Sequence, residues 1–156
     1  MSAATMRDRE FVNRFCAFQL QPLDEYRGDM DEFLARALKK MNGLTPGEID
    51  KLSAHFRSGL INNYKVFDRH AFRKHLPGQE SRSVLNASLW DVMTTGLARY
   101  PEHVVEARAD ELRNEFYPLM KDDEFVRSVT YGPNDVKKVK HRFNVTGAVF
   151  RKVFDA

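Results

Sequence analysis

The run Met6-Arg7-Asp8-Arg9-Glu10-Phe11-Val12-Asn13-Arg14-Phe15-Cys16-Ala17-Phe18 decides how this chain folds. Phe11, Phe15 and Phe18 stand at i, i+4 and i+7, so a helix gathers them on one face while Arg7, Asp8, Arg9 and Glu10 crowd its first turn. Such a helix gains its stability by burying that face, so the rest of the chain has to supply a core against it. Cys16 lies beside the aromatic face. As the single cysteine it cannot close an intramolecular disulfide, and it is expected to be a buried thiol.

Outward from this helix the 3.6-residue period recurs almost throughout. Pro22 and Glu25–Gly28 mark a loop, and Asp29 is placed to cap a second helix with Phe33, Leu34, Ala37, Leu38 and Met41 inward, ended by Asn42-Gly43. Thr45-Pro46-Gly47-Glu48 has the residues of a capping box with proline at the first helical position. The third helix that follows points Ile49, Leu52, Phe56 and Leu60 inward and is expected to fray at Asn62-Asn63. Residues 64–82 are irregular, anchored by Val66-Phe67 and Ala71-Phe72 and broken at Pro77-Gly78. A fourth helix is expected from about Ser83 to Tyr100. A fifth runs from Pro101, with Val105, Leu112, Phe116 and Leu119 inward. A short sixth, capped by Asp122 or Asp123, carries Phe125 and Val129 and stops at Gly132-Pro133; a last one, capped by Asn134, carries Val136, Val139, Phe143, Phe150 and Val153. No stretch sustains a two-residue alternation and no repeat is present. The expectation is all-α: a single multi-helix domain over residues 1–156 with six to seven helices.

Composition narrows the class further. An apolar share of 42% with twelve phenylalanines suits a packed core, and no apolar run approaches the ~20 residues that span a bilayer. Ser2-Ala3-Ala4-Thr5 is too short and polar for an export signal, so no membrane association is expected and the cytoplasm is the expected location. The net charge is only +3 but is unevenly placed. Residues 101–126 hold eight acids against Arg108, Arg113 and Lys121, and residues 127–156 hold seven lysines and arginines against Asp135 and Asp155. That asymmetry serves either an anion-binding face or two surfaces that attract each other, within the fold or across a dimer.

Catalytic patterns are absent from the sequence. The eight glycines are scattered singly and make no phosphate-cradling loop; His70 and His75 are five apart, off the spacing that sets two metal ligands on one helix face. No nucleophile stands with a recognisable base, and no cofactor is expected. Two basic clusters remain, Arg69–His75 and Lys137–Phe143. Arg73 and Lys74 in the first, and Lys137, Lys140 and Arg142 in the second, are the candidates for phosphate contact, because sequence-independent duplex binding is carried by accessible lysines and arginines. On the last helix Lys137, Lys140 and His141 share a face flanked by Lys138 and Arg142.

Beyond its physical chemistry, the opening run resembles the first helix of the α-helical half of GmrSD-type restriction proteins, the domain-of-unknown-function family 262. The likeness continues in family order. It includes Met30-Asp31-Glu32-Phe33-Leu34; Phe56 followed by Val66-Phe67 and Ala71-Phe72-Arg73; Leu85-Asn86-Ala87-Ser88-Leu89-Trp90-Asp91; Phe116–Met120 with Asp123-Glu124-Phe125; and Val139-Lys140-His141-Arg142-Phe143. In that family a ParB-like nucleotide-hydrolysing domain precedes the helical half and supplies the chemistry. The resemblance therefore implies a non-catalytic helical portion of a modification-dependent DNA restriction system, with the ParB-like half absent here. It would dock a ParB-like protein encoded upstream or contact duplex DNA weakly. The alternatives are a protein–protein interaction module without a nucleic-acid role, held through its acidic and basic helices, or a non-functional gene fragment.

Overall fold

Side-chain caps decide where most helices of this chain begin. The computed structural model describes residues 3–155, with side chains from Met6 onward, so the Ser2–Thr5 side chains lie outside the described residues. Among the described residues there are eight α-helices and no strand: α1 (Ala3–Leu20), α2 (Met30–Asn42), α3 (Pro46–Phe67), α4 (Ala87–Leu97), α5 (Glu102–Ala107), α6 (Ala109–Phe116), α7 (Asp123–Thr130) and α8 (Val136–Phe154). The Asp29 carboxylate accepts from the Glu32 N–H at 3.0 Å to start α2. Thr45 and Glu48 exchange both bonds of the capping box that starts α3. Asn86 and Asp122 cap α4 and α7 in the same way, at 2.9 Å each.

Five expectations are corrected. The third helix does not fray at Asn62-Asn63 but runs on to Phe67, because both asparagines are fully buried and tie the helix to its neighbours. Asn62 donates to the carbonyls of Leu97 (2.9 Å) and Tyr100 (3.0 Å), and Asn63 to those of Gly59 (2.7 Å) and Met93 (2.9 Å). The fourth helix starts at Ala87, not Ser83, since Asn86 caps it. The expected fifth helix is two, broken at Arg108, whose φ of −116° and ψ of 22° lie outside helical values. The last helix is capped by Asp135 through the Lys138 N–H at 3.2 Å, while the carbonyl of Asn134 accepts the Tyr26 hydroxyl. Leu38 and Ile49, expected inward, are 49% and 48% exposed.

Helix α4 is the axis of the molecule. Every residue from Ser88 to Leu97 is buried, and α1, α3, α7 and α8 pack around it. Two glycines permit the close approach of its neighbours. A Cβ on Gly59 of α3 would stand 2.7 Å from the Thr94 carbonyl oxygen, and one on Gly96 would stand 2.0 Å from Cε2 of Phe150 on α8. The main core joins Val66 and Phe67 with Val92, Leu97, Leu112, Phe116 and Phe150. The aromatic face of α1 is covered as its spacing demands: Phe15 is fully buried against Phe56, with ring centroids 5.1 Å apart, and Phe11 meets Trp90 at 5.0 Å. Cys16 is buried next to Phe15, and burial pushes its thiol pKa up. No helix of the described residues is long and apolar enough to cross a membrane.

Candidate functional site

The face of α1 that turns towards α4 carries an arginine among its aromatics. Arg14 donates Nε–H to Asp91 Oδ1 at 3.0 Å and Nη2–H to Oδ2 at 2.6 Å, a two-point pair inside the protein, with Asp91 wholly buried. Arg142 reaches the same region from α8. It too is fully buried, and its Nη1 donates to the carbonyls of Ser128 (2.9 Å) and Pro133 (2.6 Å). Its Nε and Nη2 find no partner among the protein's own atoms. Burial lowers the Arg142 pKa to about 10, opposed by the charge of Asp91 and reinforced by that of Arg14, so the guanidinium keeps its proton at neutral pH. Two cations thus face one carboxylate in a medium where unpaired charge is expensive.

The candidate phosphate contacts separate on this structure. Arg142 is corrected: it lies inside, where its carbonyl bonds hold the α7–α8 connection, and it presents nothing to a duplex. Arg73 and Lys74 are half-buried and occupied. Arg73 donates to the carbonyls of Arg69 (3.2 Å) and Ser83 (2.8 Å), and Lys74 to the Thr130 hydroxyl (3.1 Å). Arg73 and Arg69, which donates to the Glu80 carbonyl at 2.6 Å, close the irregular segment 68–86 on itself, and Lys74 ties it to α7. Lys137 and Lys140 remain exposed on α8, with no ion pair among the described residues. The charge asymmetry is partly satisfied within the fold, where Lys152 pairs with Glu115 at 2.7 Å and His141 Nδ1 lies 3.5 Å from Glu124.

His75 is a further buried titratable group. Its ring stacks on His70 (centroids 4.9 Å apart) and on Phe116 (5.5 Å). Nδ1 lies 2.8 Å from the Arg73 carbonyl, which can only accept, so Nδ1 carries the proton and Nε2 accepts from the Tyr117 hydroxyl at 3.2 Å. Burial lowers the His75 pKa, against the Arg73 carbonyl and with help from His70. Among the described residues no group of three His, Cys, Asp or Glu side chains is placed to hold a metal.

Two of the surface depressions border α1 at its two ends. An open groove of about 890 Å³ runs along the start of α1, lined by Met6, Phe11, Asn13, Leu38 and Ala87, with Met6 63% exposed. A cleft of about 510 Å³ lies between the end of α1, the end of α4 and the middle of α8. The sequence did not single out Arg14, Asp91, Gln21, Arg99 or Arg151. A signal for Asp91 was present, for it is the one charge between Ser83 and Ala98, and a lone acid in an uncharged helix calls for a buried cation. No family model, curated protein or solved structure matches this chain.

Proposed function

We propose that this chain is the non-catalytic helical portion of a GmrSD-like, modification-dependent DNA restriction system of the cytoplasm. In this role it docks a ParB-like nucleotide-hydrolysing domain and contacts duplex DNA. The observation that carries the reading is the meeting of three segments on which the resemblance rests. Arg14 from the first, Trp90 and Asp91 from the fourth and Arg142 from the last converge in one buried polar cluster. Trp90 Nε1–H also donates to the Phe11 carbonyl at 2.9 Å. Residues recognised as a string are thus those whose identity the interior demands. The groove along α1 supplies an apolar docking surface at the end of the chain where that family places its ParB-like half. Lys137 and Lys140 supply the phosphate contacts.

The reading predicts weak, sequence-independent duplex binding, on the order of 10⁻⁴ to 10⁻⁶ M at physiological salt. Fluorescence anisotropy with a labelled duplex over a salt series tests it. Replacing both Lys137 and Lys140 by Ala flattens the salt slope by about two contacts, at ~0.9 each, and leaves the melting curve unchanged because both side chains are exposed. No binding at low salt removes the DNA-contacting role. For docking, Leu38→Asp in the groove abolishes co-purification with the ParB-like protein encoded upstream. Retention of that partner by the variant moves docking away from the groove.

A further inference from the structure

The cleft between α1, α4 and α8 is built unlike the rest of the surface. Arg99 and Arg151 line it, and neither makes an ion pair among the described residues. Asp155, which ends α8, is engaged with the Tyr100 hydroxyl. Arg151 folds back along its own helix, so that a Cβ on Gly147 would stand 3.2 Å from its Nη1; a bare glycine lets the guanidinium lie over the cleft. Thr95 at the floor donates to the Asp91 carbonyl at 2.7 Å, one turn from the buried Arg14–Asp91–Arg142 cluster with its excess of positive charge. From Arg14 to Leu20, Asp91 to Arg99 and Arg142 to Arg151 there are four arginines and one acid. A low-dielectric wall beneath the arginines strengthens their pull on an anion.

Aromatic side chains line the cleft as well. Phe18 and Phe143 line the cleft with ring centroids 4.9 Å apart. Gln21, 3% exposed, donates Nε2–H to the Phe33 carbonyl at 3.0 Å, which fixes its amide orientation. Its Oε1 is buried away from the cleft's accessible surface and has no partner among the described residues.

We propose that this cleft binds a small organic anion made of a flat ring and an attached oxyanion. The oxyanion sits on Arg99 and Arg151, and the ring lies against Phe18 and Phe143. The volume is within the range of small-molecule sites, and paired guanidinium groups suit a phosphate or carboxylate. The site is separate from Lys137 and Lys140, so it stands or falls apart from duplex binding.

Heteronuclear NMR titration of the full chain tests it with two probes, adenosine 5′-monophosphate for a phosphate source and indole-3-acetate for a carboxylate source. Adenosine, inorganic phosphate and acetate serve as the half-ligands. Saturable shifts at Thr95, Arg99, Asn144 and Gly147 with one whole probe and much weaker effects of its halves support the site, and the probe that binds identifies the anion. Arg99→Ala and Arg151→Ala, both at exposed positions, each weaken that probe about tenfold without altering the melting curve, as loss of one charge-assisted hydrogen bond requires. Gly147→Val, which displaces the Arg151 guanidinium, weakens it likewise. No saturable shift with either probe overturns the proposal, as does binding that survives the Arg99→Ala/Arg151→Ala double variant.

Discussion

Asp91 holds the greatest electrostatic leverage of any single residue here. It faces Arg14 directly and Arg142 through space, and all three side chains are buried. Removing Arg14 leaves Asp91 with Arg142; removing the carboxylate leaves two buried cations and nothing between them. Asp91→Asn is therefore expected to cost about 3–5 kcal/mol, and Arg14→Met clearly less. Urea unfolding midpoints decide this, and the reverse order means that Arg142 does not share the carboxylate. His75 provides a pH test at the same scale. Its folded pKa lies below the ordinary 6.5, so the native state takes up a proton less readily than the unfolded chain. Its contribution is fully present above about 6.5 and is lost as pH falls through the folded value. Wild type is expected to lose more melting temperature between pH 7 and pH 5 than His75→Gln does, once each is referred to its own value at pH 7. Parallel curves mean that His75 charges without penalty.

Among the helices, α4 shows what close packing demands. It has an almost continuous apolar and small-residue surface, and Gly96 is where α8 comes nearest. A methyl group there enters the Phe150 ring, which is itself buried in the main core. Gly96→Ala gains helix propensity, worth ~1 kcal/mol, but overpacking of about 1–3 kcal/mol outweighs it. Loss of stability on that scale is expected by chemical denaturation, and Phe150→Leu is expected to recover part of it in a double-mutant cycle. Additive effects of the two substitutions mean that the helices move apart instead. The Phe15 side of α1 sets the comparison at the other face of α4, where Phe15→Ala is expected to cost about 3–5 kcal/mol.

Across the whole molecule, the connections made by α4 dictate how stability is shared. Four other helices lean on it, so none can open its α4 contacts without exposing part of the same core. The slowest-exchanging amides are expected from Trp90 to Leu97, exchanging only through global unfolding, whereas segment 68–86 opens locally. That segment holds two non-glycine residues at positive φ, Asp68 and Phe72, and is kept in place by arginine bonds to carbonyls. Native-state hydrogen exchange checks this, and equal protection in the two segments contradicts it.

Local chemistry determined much of this protein on its own. Residues such as Asp29, Thr45 with Glu48, and Asp122 start helices through bonds to backbone three residues away, and the i, i+4, i+7 phenylalanines of α1, each three or four residues from the next, mark its inner face. These causes act over one helical turn, so the all-helical fold and most helix starts were legible in the sequence. The fate of polar residues was not. Asn62, Asn63, Arg73 and Arg142 look like helix ends or solvated surface in sequence, yet each donates to carbonyls brought from 4 to 38 positions away. Arg142 and Lys140 stand two residues apart, and only the packing of α8 against α4 and α7 places one inside and the other in water. The same holds for the cleft at Arg99 and Arg151, contributed by two helices whose meeting no local pattern records. Helix formation is decided by neighbours along the chain, and burial of a charge by neighbours in space.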